Sequence, residues 1–268
     1  VGLDASRSSV EASVFQRAIP GGALTEDLAW DEGVVLHKLS AFAQTTVDIG
    51  SRVKLTGGLR ADEVSTLDDG FEFSPRGSVL IDLGSGVTAQ AGGGLYHQAP
   101  SLIALSVKDD GRPLNLSLRQ QRNVQVASGV SWTVNQGFRL SAEAFWKEYS
   151  RVPLLVSDPR VSVSNLGGDY GFVGAEPLMD DGTGRARGLE IFAQQKLLQN
   201  AYFLGAYTLS WSEFAGTDGG LRPSAWDRRH ALDLTGGYRV GSWEFGSKVR
   251  VLSGLATTPW DIVASEQS

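Results

Sequence analysis

The sequence has 268 residues, a formal net charge of −6, 33 glycines, 9 prolines and no cysteine. The lack of cysteine excludes a disulfide scaffold and thiol chemistry, and dispersed Lys and Arg on an acidic chain argue against nucleic acid as a partner. No run approaches the ~18 apolar residues of a membrane helix. Because the chain begins at Val1 and its one methionine is Met179, we expect it to be part of a larger protein.

Apolar and polar residues alternate with period two along most of the chain, which predicts β-strands. A further strand is expected near Ser8 to Arg17. Ten strands are predicted with more regular alternation, at about 38–49, 52–62, 75–83, 87–97, 119–134, 138–149, 185–197, 201–213, 230–240 and 243–253.

The connections alternate between short and long. The short ones are Gly50-Ser51, Gly84-Ser85-Gly86, Asn135-Gln136-Gly137, Leu198-Gln199-Asn200 and Gly241-Ser242. The long ones lie at about 63–74, 98–118, 150–184 and 214–229. Short turns at one end and long loops at the other are typical of membrane β-barrels, and strands of eleven or so residues exceed the ~5–6 usual in soluble sandwiches.

Residue parity across the turns tests this assignment, because a three-residue turn keeps the outward parity and a two-residue turn switches it. The apolar set stays odd across Gly84-Ser85-Gly86 and switches across Gly241-Ser242. The second turn predicts that Asp233 lies opposite Arg250, and Arg239 opposite Glu244. If the first hairpin centres on Gly50, Asp48 faces Arg52 and Lys38 faces Asp62.

One face of the predicted sheet is apolar and the other is polar and charged, as for a wide polar lumen. The alternative is the solvated outer face of a soluble sheet. Aromatic residues on the apolar face fall near both strand ends, as in two interfacial girdles. They are Trp132, Phe138, Phe203, Tyr238 and Trp243 near the short turns, and Trp146 and Trp211 near the long loops.

Several segments resemble the barrel of TonB-dependent outer-membrane receptors. Gly57-Gly58-Leu59-Arg60-Ala61-Asp62, after Leu39-Ser40-Ala41-Phe42-Ala43-Gln44, resembles the "GLRYD"-like strand of that family. Tyr96 to Ser101 resembles "Y-x-x-A-P-S", Arg185 to Glu190 "R-x-x-G-(L/V)-E", and Pro223 to His230 "P-x-x-D-x-R-H". Ser253-Gly254-Leu255 with Thr258-Pro259 is similar to "S-G-x-P-x-T-P", with Ala256 in place of a proline.

The resemblance implies an all-β fold, an antiparallel up-and-down transmembrane β-barrel. Residues 1–268 would supply ten or eleven strands of a barrel of about 22, from its middle to late part, without the plug domain and TonB box. It further implies active uptake of a scarce nutrient, with siderophore-bound iron the commonest substrate and cobalamin or oligosaccharide as alternatives. The partners implied are outer-membrane lipid, the TonB complex through the plug, and a small-molecule or metal-chelate ligand.

Long loops held by a rigid scaffold are where ligand contacts are expected. The candidate ligand-contacting residues of the loops and lumen are Tyr96, Gln98, Tyr149, Arg151, Tyr170, Phe172 and Trp226. His37, His97 and His230 do not lie at metal-ligand spacing, and acidic dipeptides such as Asp68-Asp69 are read as solvated turns. Glu143 and Glu190 are expected to line the pore, and no cofactor or enzymatic activity is predicted. Alternative functions are a passive porin, a structural or adhesive barrel, or a soluble β-sandwich binding module.

Overall fold

The computed structural model describes residues 1–16, 28–109, 111–135, 137–160, 162–166, 176–198 and 200–256. These residues form one twelve-stranded antiparallel sheet in which each long strand pairs with the next long strand in the chain. The strands are β1 Gly2–Gln16, β2 Leu28–Ile49, β3 Val53–Val64, β4 Phe71–Gly84, β5 Val87–Gln98, β6 Gln121–Thr133, β7 Phe138–Leu155, β8 Leu178–Leu198, β9 Ala201–Ala215, β10 His230–Val240 and β11 Trp243–Leu252.

The remaining elements are small and lie in the long loops. The segment between β5 and β6 contains helix α1, Leu102–Ser106, and a hairpin of Lys108–Asp109 with Arg112–Pro113. A single 3-10 turn occupies Val163–Asn165, and Arg222–Pro223 pairs with the end of β9 as the twelfth strand. Within the described residues, the helices present are all too short to cross a bilayer.

The predicted strands and the strand near Ser8 are confirmed, but several strands extend further into the long loops. β3 ends at Val64 and β4 begins at Phe71, so the loop predicted at 63–74 covers only 65–70. β7 likewise continues to Leu155 and β8 begins at Leu178. The extensions include Gly182, where the register between β7 and β8 shifts, and such irregularity hides the period-two pattern in the sequence.

The first hairpin corrects the predicted register. Ile49 pairs with Val53 across the turn of Gly50, Ser51 and Arg52, so the hairpin centres on Ser51. Asp48 therefore faces Lys54, at 3.6 Å between Oδ1 and Nζ, instead of Arg52. Lys38 faces Val64 and reaches Asp62 only diagonally, with 3.1 Å between Nζ and Oδ1.

The apolar face of the sheet is more exposed than the polar face, which is the opposite of the pattern in a soluble protein. In β6 the apolar residues Val124, Val126 and Val130 are 46%, 56% and 48% exposed, whereas the polar-face neighbours Gln125 and Ser131 are half-buried. In a membrane barrel, the exposed apolar face of such a sheet contacts the hydrocarbon of the bilayer. A soluble sandwich would bury that face against a second sheet, so the sandwich alternative is wrong for the described chain.

Small hydrophobic clusters lie at the end of the sheet that carries the long loops, which we call the long-loop end. Leu105 of α1 and Leu67 pack with Val64 of β3, and Val34 and Leu36 of β2 pack against them. The registers place Val34, Leu36 and Val64 on the same face as Ser40 and Asp62, the polar face. The loops therefore fold over the polar face of the sheet.

We call segments 65–70 and 99–120, in their described residues, the loop layer. Asn115 is fully buried there, and its side-chain amide donates to the carbonyls of Ala104 and Glu176 at 2.8 and 2.9 Å. The Asn115 Oδ1 accepts from the backbone N–H of Leu178 at 2.9 Å. One side chain thus joins α1, the 99–120 segment and the start of β8, which fixes the loop layer to the sheet.

Candidate functional site

A pocket of about 530 Å³ opens on the polar face in the middle of the sheet, and we call it the polar-face pocket. The side chains that give it hydrogen-bonding capacity come from β2, β4, β5, β6 and β7. They are Gln44, Arg76, Gln90, Tyr96, Gln125 and Glu143. Concave sites of this size with convergent polar groups are typical of small-molecule binding.

Strand register brings these residues together. Arg76 faces Gly94 and Leu80 faces Gln90 across β4 and β5, and Gly94 in turn faces Gln125 of β6. Glycine at position 94 is required by close approach, because a Cβ there would lie 2.8 Å from the Arg76 Cβ and from the Pro75 carbonyl oxygen. The missing side chain gives Arg76 and Tyr96 room on the same surface.

The pocket contains polar groups with free hydrogen-bonding capacity. Gln90 donates from Nε2 to Glu143 Oε2 at 3.2 Å. In the described part of the chain, Arg76 makes no ion pair or side-chain hydrogen bond, although its guanidinium carries five N–H donors. An exposed arginine without a carboxylate partner can donate to an anionic or polar ligand in a bidentate manner.

Two glutamates lie opposite one another at one side of the pocket. Glu143 of β7 and Glu190 of β8 are direct cross-strand partners, which confirms that both are on the polar face. Like charges directly opposite are unfavourable in a sheet. The pair is therefore suited to a cationic group that approaches the polar face.

Between the polar-face pocket and the loop layer lies a cluster of ionic residues. Glu72 of β4 is ion-paired with Arg151 of β7, and its other oxygen is 3.1 Å from His97 Nε2. His97 Nδ1 is 2.9 Å from the Ser74 hydroxyl, and the ring is almost fully buried. Glu72 is four residues from Arg76 on the same strand, or about 13 Å towards the long-loop end. This cluster ties β4, β5 and β7 together directly above the pocket.

Arg151 has a backbone φ of +56°, in the left-handed region that non-glycine residues rarely adopt. The register between β7 and β8 shifts beside it, where Ser150 pairs with Thr183 and Val152 with Gly182. The resulting bulge turns the Arg151 side chain towards Glu72. Bulges that re-aim a side chain in this way are common beside functional sites.

The loop that follows β9 is held by its own ion pair. Arg222 donates to both carboxylate oxygens of Asp218, at 3.1 and 2.6 Å. Hydrogen bonding from the Arg222 guanidinium lowers the pKa of Asp218 from 3.8 to about 2. The same loop contacts the segment after β7, since Thr217 N donates to the Pro159 carbonyl at 2.9 Å. The two loops therefore form one connected surface.

The structure places the predicted ligand-contacting residues in different parts of the long-loop half. Tyr96 lines the polar-face pocket, and Arg151 lies in the ionic cluster above it. The Tyr149 ring packs 5.5 Å from the Phe214 ring between centroids, while Gln98 ends β5 and is exposed. Trp226 is 64% exposed in the loop after β9. Tyr170 and Phe172 lie outside the described residues.

Several residues of the site were not predicted. Arg76 and Gln90 share the polar-face parity of Ser78 and could have been found from the turn at Gly84. Glu72 could not, because it was assigned to a loop. His97 contacts Glu72 and Ser74, and so links the end of β5 to β4. Among the described residues, groups of three or more acidic, His or Cys side chains placed to hold a metal ion are absent.

The comparisons with known proteins agree with this architecture. The family model described as "TonB dependent receptor-like, beta-barrel" matches residues 6–263. No curated protein sequence matches the chain closely enough to count as a relative.

Solved structures share the fold at low sequence identity. The closed form of the ferric-catecholate import receptor Fiu from E. coli K12 gives a TM-score of 0.67 at 14% identity, over 92% of this chain and 40% of Fiu. The copper transporter OprC gives 0.63 at 20% identity, over 93% of this chain and 39% of OprC. The alcaligin outer-membrane receptor FauA from Bordetella pertussis gives 0.58 at 13% identity, over 94% and 42%.

The chain thus spans about 40% of the length of these receptors. The family comprises transporters and receptors of the Gram-negative outer membrane, not enzymes. The family model matches nearly the whole chain, and the sheet exposes its apolar face as a membrane barrel does. This chain belongs to the TonB-dependent receptor-like β-barrel family.

Proposed function

We propose that the chain is part of an outer-membrane receptor that takes up a scarce nutrient, with an iron–siderophore chelate as the favoured substrate class. The observation that carries the proposal is Arg76 in the polar-face pocket, which has no ion-pair partner among the described residues and lies beneath loops that fold over the same face. In a barrel the polar face is the lumen, so a ligand captured at the long-loop end meets this pocket on its way inward.

On the side of Gln44, Arg76 and Tyr96, the pocket suits the anionic oxygens of a polar ligand of moderate size, whereas Glu143 on the other side suits a cationic group of that ligand. Arg76 supplies charge and five donors, Tyr96 a hydroxyl and an aromatic surface, and Gln44 an amide. Charged chelates with many oxygen atoms match such a set. Fiu and a Pseudomonas aeruginosa receptor are named for ferric catecholates and ferric enterobactin, and FauA is named for alcaligin. These names support the substrate class, whereas the copper transporter OprC supports a metal ion itself as an alternative cargo.

The route of uptake that we propose is energised through TonB and requires a plug domain in the lumen. The loop layer supports this over free diffusion, because packed loops restrict entry into the lumen at the long-loop end. The hydrogen bonds of Asn115 hold α1 over the polar face, which reduces the open width of the lumen that a passive porin would need.

The test uses the complete receptor that contains this chain. We expect Arg76→Gln to weaken binding of ferric chelates about tenfold, the value of one lost charge-assisted hydrogen bond. Arg250→Gln is the matched control, because Arg250 lies on the same face but is paired with Asp233 at 2.6 Å. Binding is measured by tryptophan fluorescence in detergent, and uptake by labelled iron in cells with and without TonB.

Two results would contradict the proposal. Equal affinities of Arg76→Gln and the unaltered receptor would remove the ligand from this pocket. Uptake that continues at the same rate without TonB would contradict energised transport and favour the porin alternative.

A further inference from the structure

The exposed Trp226 lies on a tight turn in the loop after β9. Ser224 to Asp227 form this four-residue turn, which is closed by a hydrogen bond from the Asp227 N–H to the Ser224 carbonyl oxygen at 3.0 Å, and Trp226 is its third residue. Ser224 and Asp227 are buried, whereas Trp226 is exposed. The turn therefore buries its two polar ends and leaves the indole ring outside.

Both buried ends of the turn are fixed to one residue of β9. The Ser224 N–H donates to the Ser212 carbonyl oxygen at 2.8 Å, and the Ser224 hydroxyl donates to the Ser212 hydroxyl oxygen at 3.0 Å. The Asp227 Oδ1 accepts from the Ser212 N–H at 3.1 Å. Ser212 is four residues from Thr208, the direct partner of Glu190, and so lies on the polar face. The turn is therefore attached to the lumenal side of the sheet, apart from the aromatic residues of the apolar face.

The remaining residue of the turn, Ala225, is held by the other long loop. Its N–H donates to the Ser164 carbonyl oxygen at 3.1 Å. Beside it, the Asn165 side-chain amide donates to the carbonyl oxygens of Arg222 and Pro223 at 3.1 and 3.0 Å. These three hydrogen bonds join the loop after β7 to the loop after β9 at the base of the turn.

A second contact between the two loops lies where the chain leaves β9. Gly216 lies so close to the loop after β7 that a Cβ at this position would overlap the Pro159 carbonyl oxygen. The Thr217 N–H donates to the same carbonyl at 2.9 Å, and the Arg222 guanidinium donates to the Arg160 carbonyl at 3.4 Å. Glycine is therefore required at 216 by the close approach of two backbones.

The two loops belong to strands that are not neighbours, because β8 lies between β7 and β9. Each loop also folds back on its own strand, through the bridge of Leu154 with Ser162 and the pairing of Phe214 with Arg222. The contacts between the loops thus connect two folded-back segments across the position of β8. We call the described residues 157–160, 162–166 and 216–229 the paired loops.

An exposed indole ring on such a support is suited to ligand contact. Tryptophan is enriched at the positions that contribute most to binding, and an ordered backbone reduces the entropy that is lost when a ligand binds. In the part of the chain that the structure describes, the Trp226 side chain has no ring contact or hydrogen bond. Its ring is therefore free to pack against a planar or apolar group of a ligand.

We propose that the paired loops capture ligand as one unit, in which Trp226 is the contact residue and Asn165 is the positioning residue that holds its turn from the other loop. Trp226 meets a planar or apolar part of the chelate, and the charged part continues to the polar-face pocket. This inference rests on the proposed function, because it assigns the first contact of the same substrate class. Its distinctive consequence is that a change in one loop disturbs the turn in the other.

The first measurement needs no ligand. Asn165→Ala removes both side-chain hydrogen bonds and leaves every residue of the loop after β9 unchanged. We expect hydrogen exchange at the Ala225 and Asp227 amides of the complete receptor to become about tenfold faster. Gly216→Ala pushes the loops apart at their second contact and should affect the same amides. Asn200→Ala, at an exposed short turn, is the control.

The second measurement is a double-mutant cycle on binding of a ferric tris(catecholate) and a ferric trihydroxamate complex by the complete receptor. We expect Trp226→Ala to weaken binding about tenfold, and Asn165→Ala to weaken it about threefold. In the Trp226→Ala background, Asn165→Ala should cause no further loss, because it acts only through the indole ring. Additive losses would mean that Asn165 supports the loop without positioning Trp226. Heat-modifiability on gels confirms that each variant has assembled.

The possible failures separate this inference from the proposed function. Exchange rates in Asn165→Ala equal to those in Asn200→Ala would overturn the coupling of the two loops. Unchanged chelate binding in Trp226→Ala, together with weaker binding in Arg76→Gln, would overturn the capture role and leave the proposed function standing. A receptor that binds neither chelate would overturn the capture role and the proposed function together.

Discussion

Arg151 reaches across to Glu72 from a left-handed backbone position, and the ion pair joins two strands that are not neighbours in the sheet. Glu72 also contacts His97, so its carboxylate is shared between the end of β7 and the end of β5. The pair therefore holds three strands in fixed relation at the level where the loop layer begins.

Replacing Arg151 tests this arrangement. We expect Arg151→Ala to destabilise the long-loop end by about 1–3 kcal/mol, because Glu72 loses its charged partner and an alanine at positive φ keeps the strain. Hydrogen exchange of the first residues of β4 in the complete receptor measures the effect. Arg151→Lys, which keeps the charge, should be milder, and equal exchange rates in Arg151→Ala and the unaltered receptor would contradict the role of the pair.

The two faces predict different outcomes for adjacent residues of β7. Ala142 pairs with Val130 and Ile191 on the apolar face, whereas Glu143 faces the lumen opposite Glu190. Arginine on the lipid face near mid-bilayer costs about 2–4 kcal/mol. We expect Ala142→Arg and Leu209→Arg to impair barrel assembly, as shown by loss of heat-modifiability on gels. Glu143→Arg should assemble normally, and equal damage from both would overturn the facial assignment.

Turn parity predicted the faces correctly because it depends only on local alternation and turn length. The same argument could not choose the register of the first hairpin. Centres at Gly50 and at Ser51 both keep odd residues on one face, so the apolar pattern is identical in the two registers. The predicted pairing of Asp48 with Arg52 had the right chemistry but the wrong partner, since Lys54 supplies the same charge two residues later.

The loop layer could not be predicted from the sequence at all. Asn115 and Gln120 are fully buried polar residues, and their partners lie far away in the chain, at Glu176 and at Gly70. No local pattern reports such contacts, because each depends on how separate loops meet above the sheet. Gln98 and Arg151 were predicted in loops but lie in β5 and β7, whereas Trp226 lies in a loop as predicted. The contacts that order the loops had to come from the structure.

Asn115 is the residue on which the order of the loop layer most depends. Asn115→Ala would leave the Ala104 and Glu176 carbonyls and the Leu178 N–H without partners in a buried site, at about 1–3 kcal/mol for each unsatisfied group. We expect faster proteolysis between residues 99 and 120 in the assembled receptor. Asn200→Ala is the control, because Asn200 is exposed at a short turn. If Asn115→Ala is as resistant to proteolysis as Asn200→Ala, the hydrogen bonds of Asn115 do not order the loop layer.

Shortening the loop between β7 and β8 tests whether it captures ligand. The structure sets the boundaries, because Leu155 pairs with Leu178 and both strands must be kept. Replacing 157–176 by a short flexible linker should abolish ligand binding and leave the barrel in the membrane, as judged by chelate binding and heat-modifiability. Unchanged affinity would move capture to the loop that holds Trp226 or to the loop layer.

The final prediction concerns these 268 residues expressed alone. Within the described part of the chain, β1 and β11 each pair on one side only. β11 is ten residues long, and its outer edge presents unpaired backbone groups that each cost several kcal/mol in hydrocarbon. In water the apolar face is the greater difficulty, because Trp243 and Phe245 are 71% and 58% exposed beside a continuous band of similar residues. We expect aggregation without detergent and assembly only with the strands that close the barrel. Size-exclusion chromatography in plain buffer decides the matter: a monodisperse monomer that unfolds cooperatively would mean that the apolar face is covered by protein, contrary to the sheet described here.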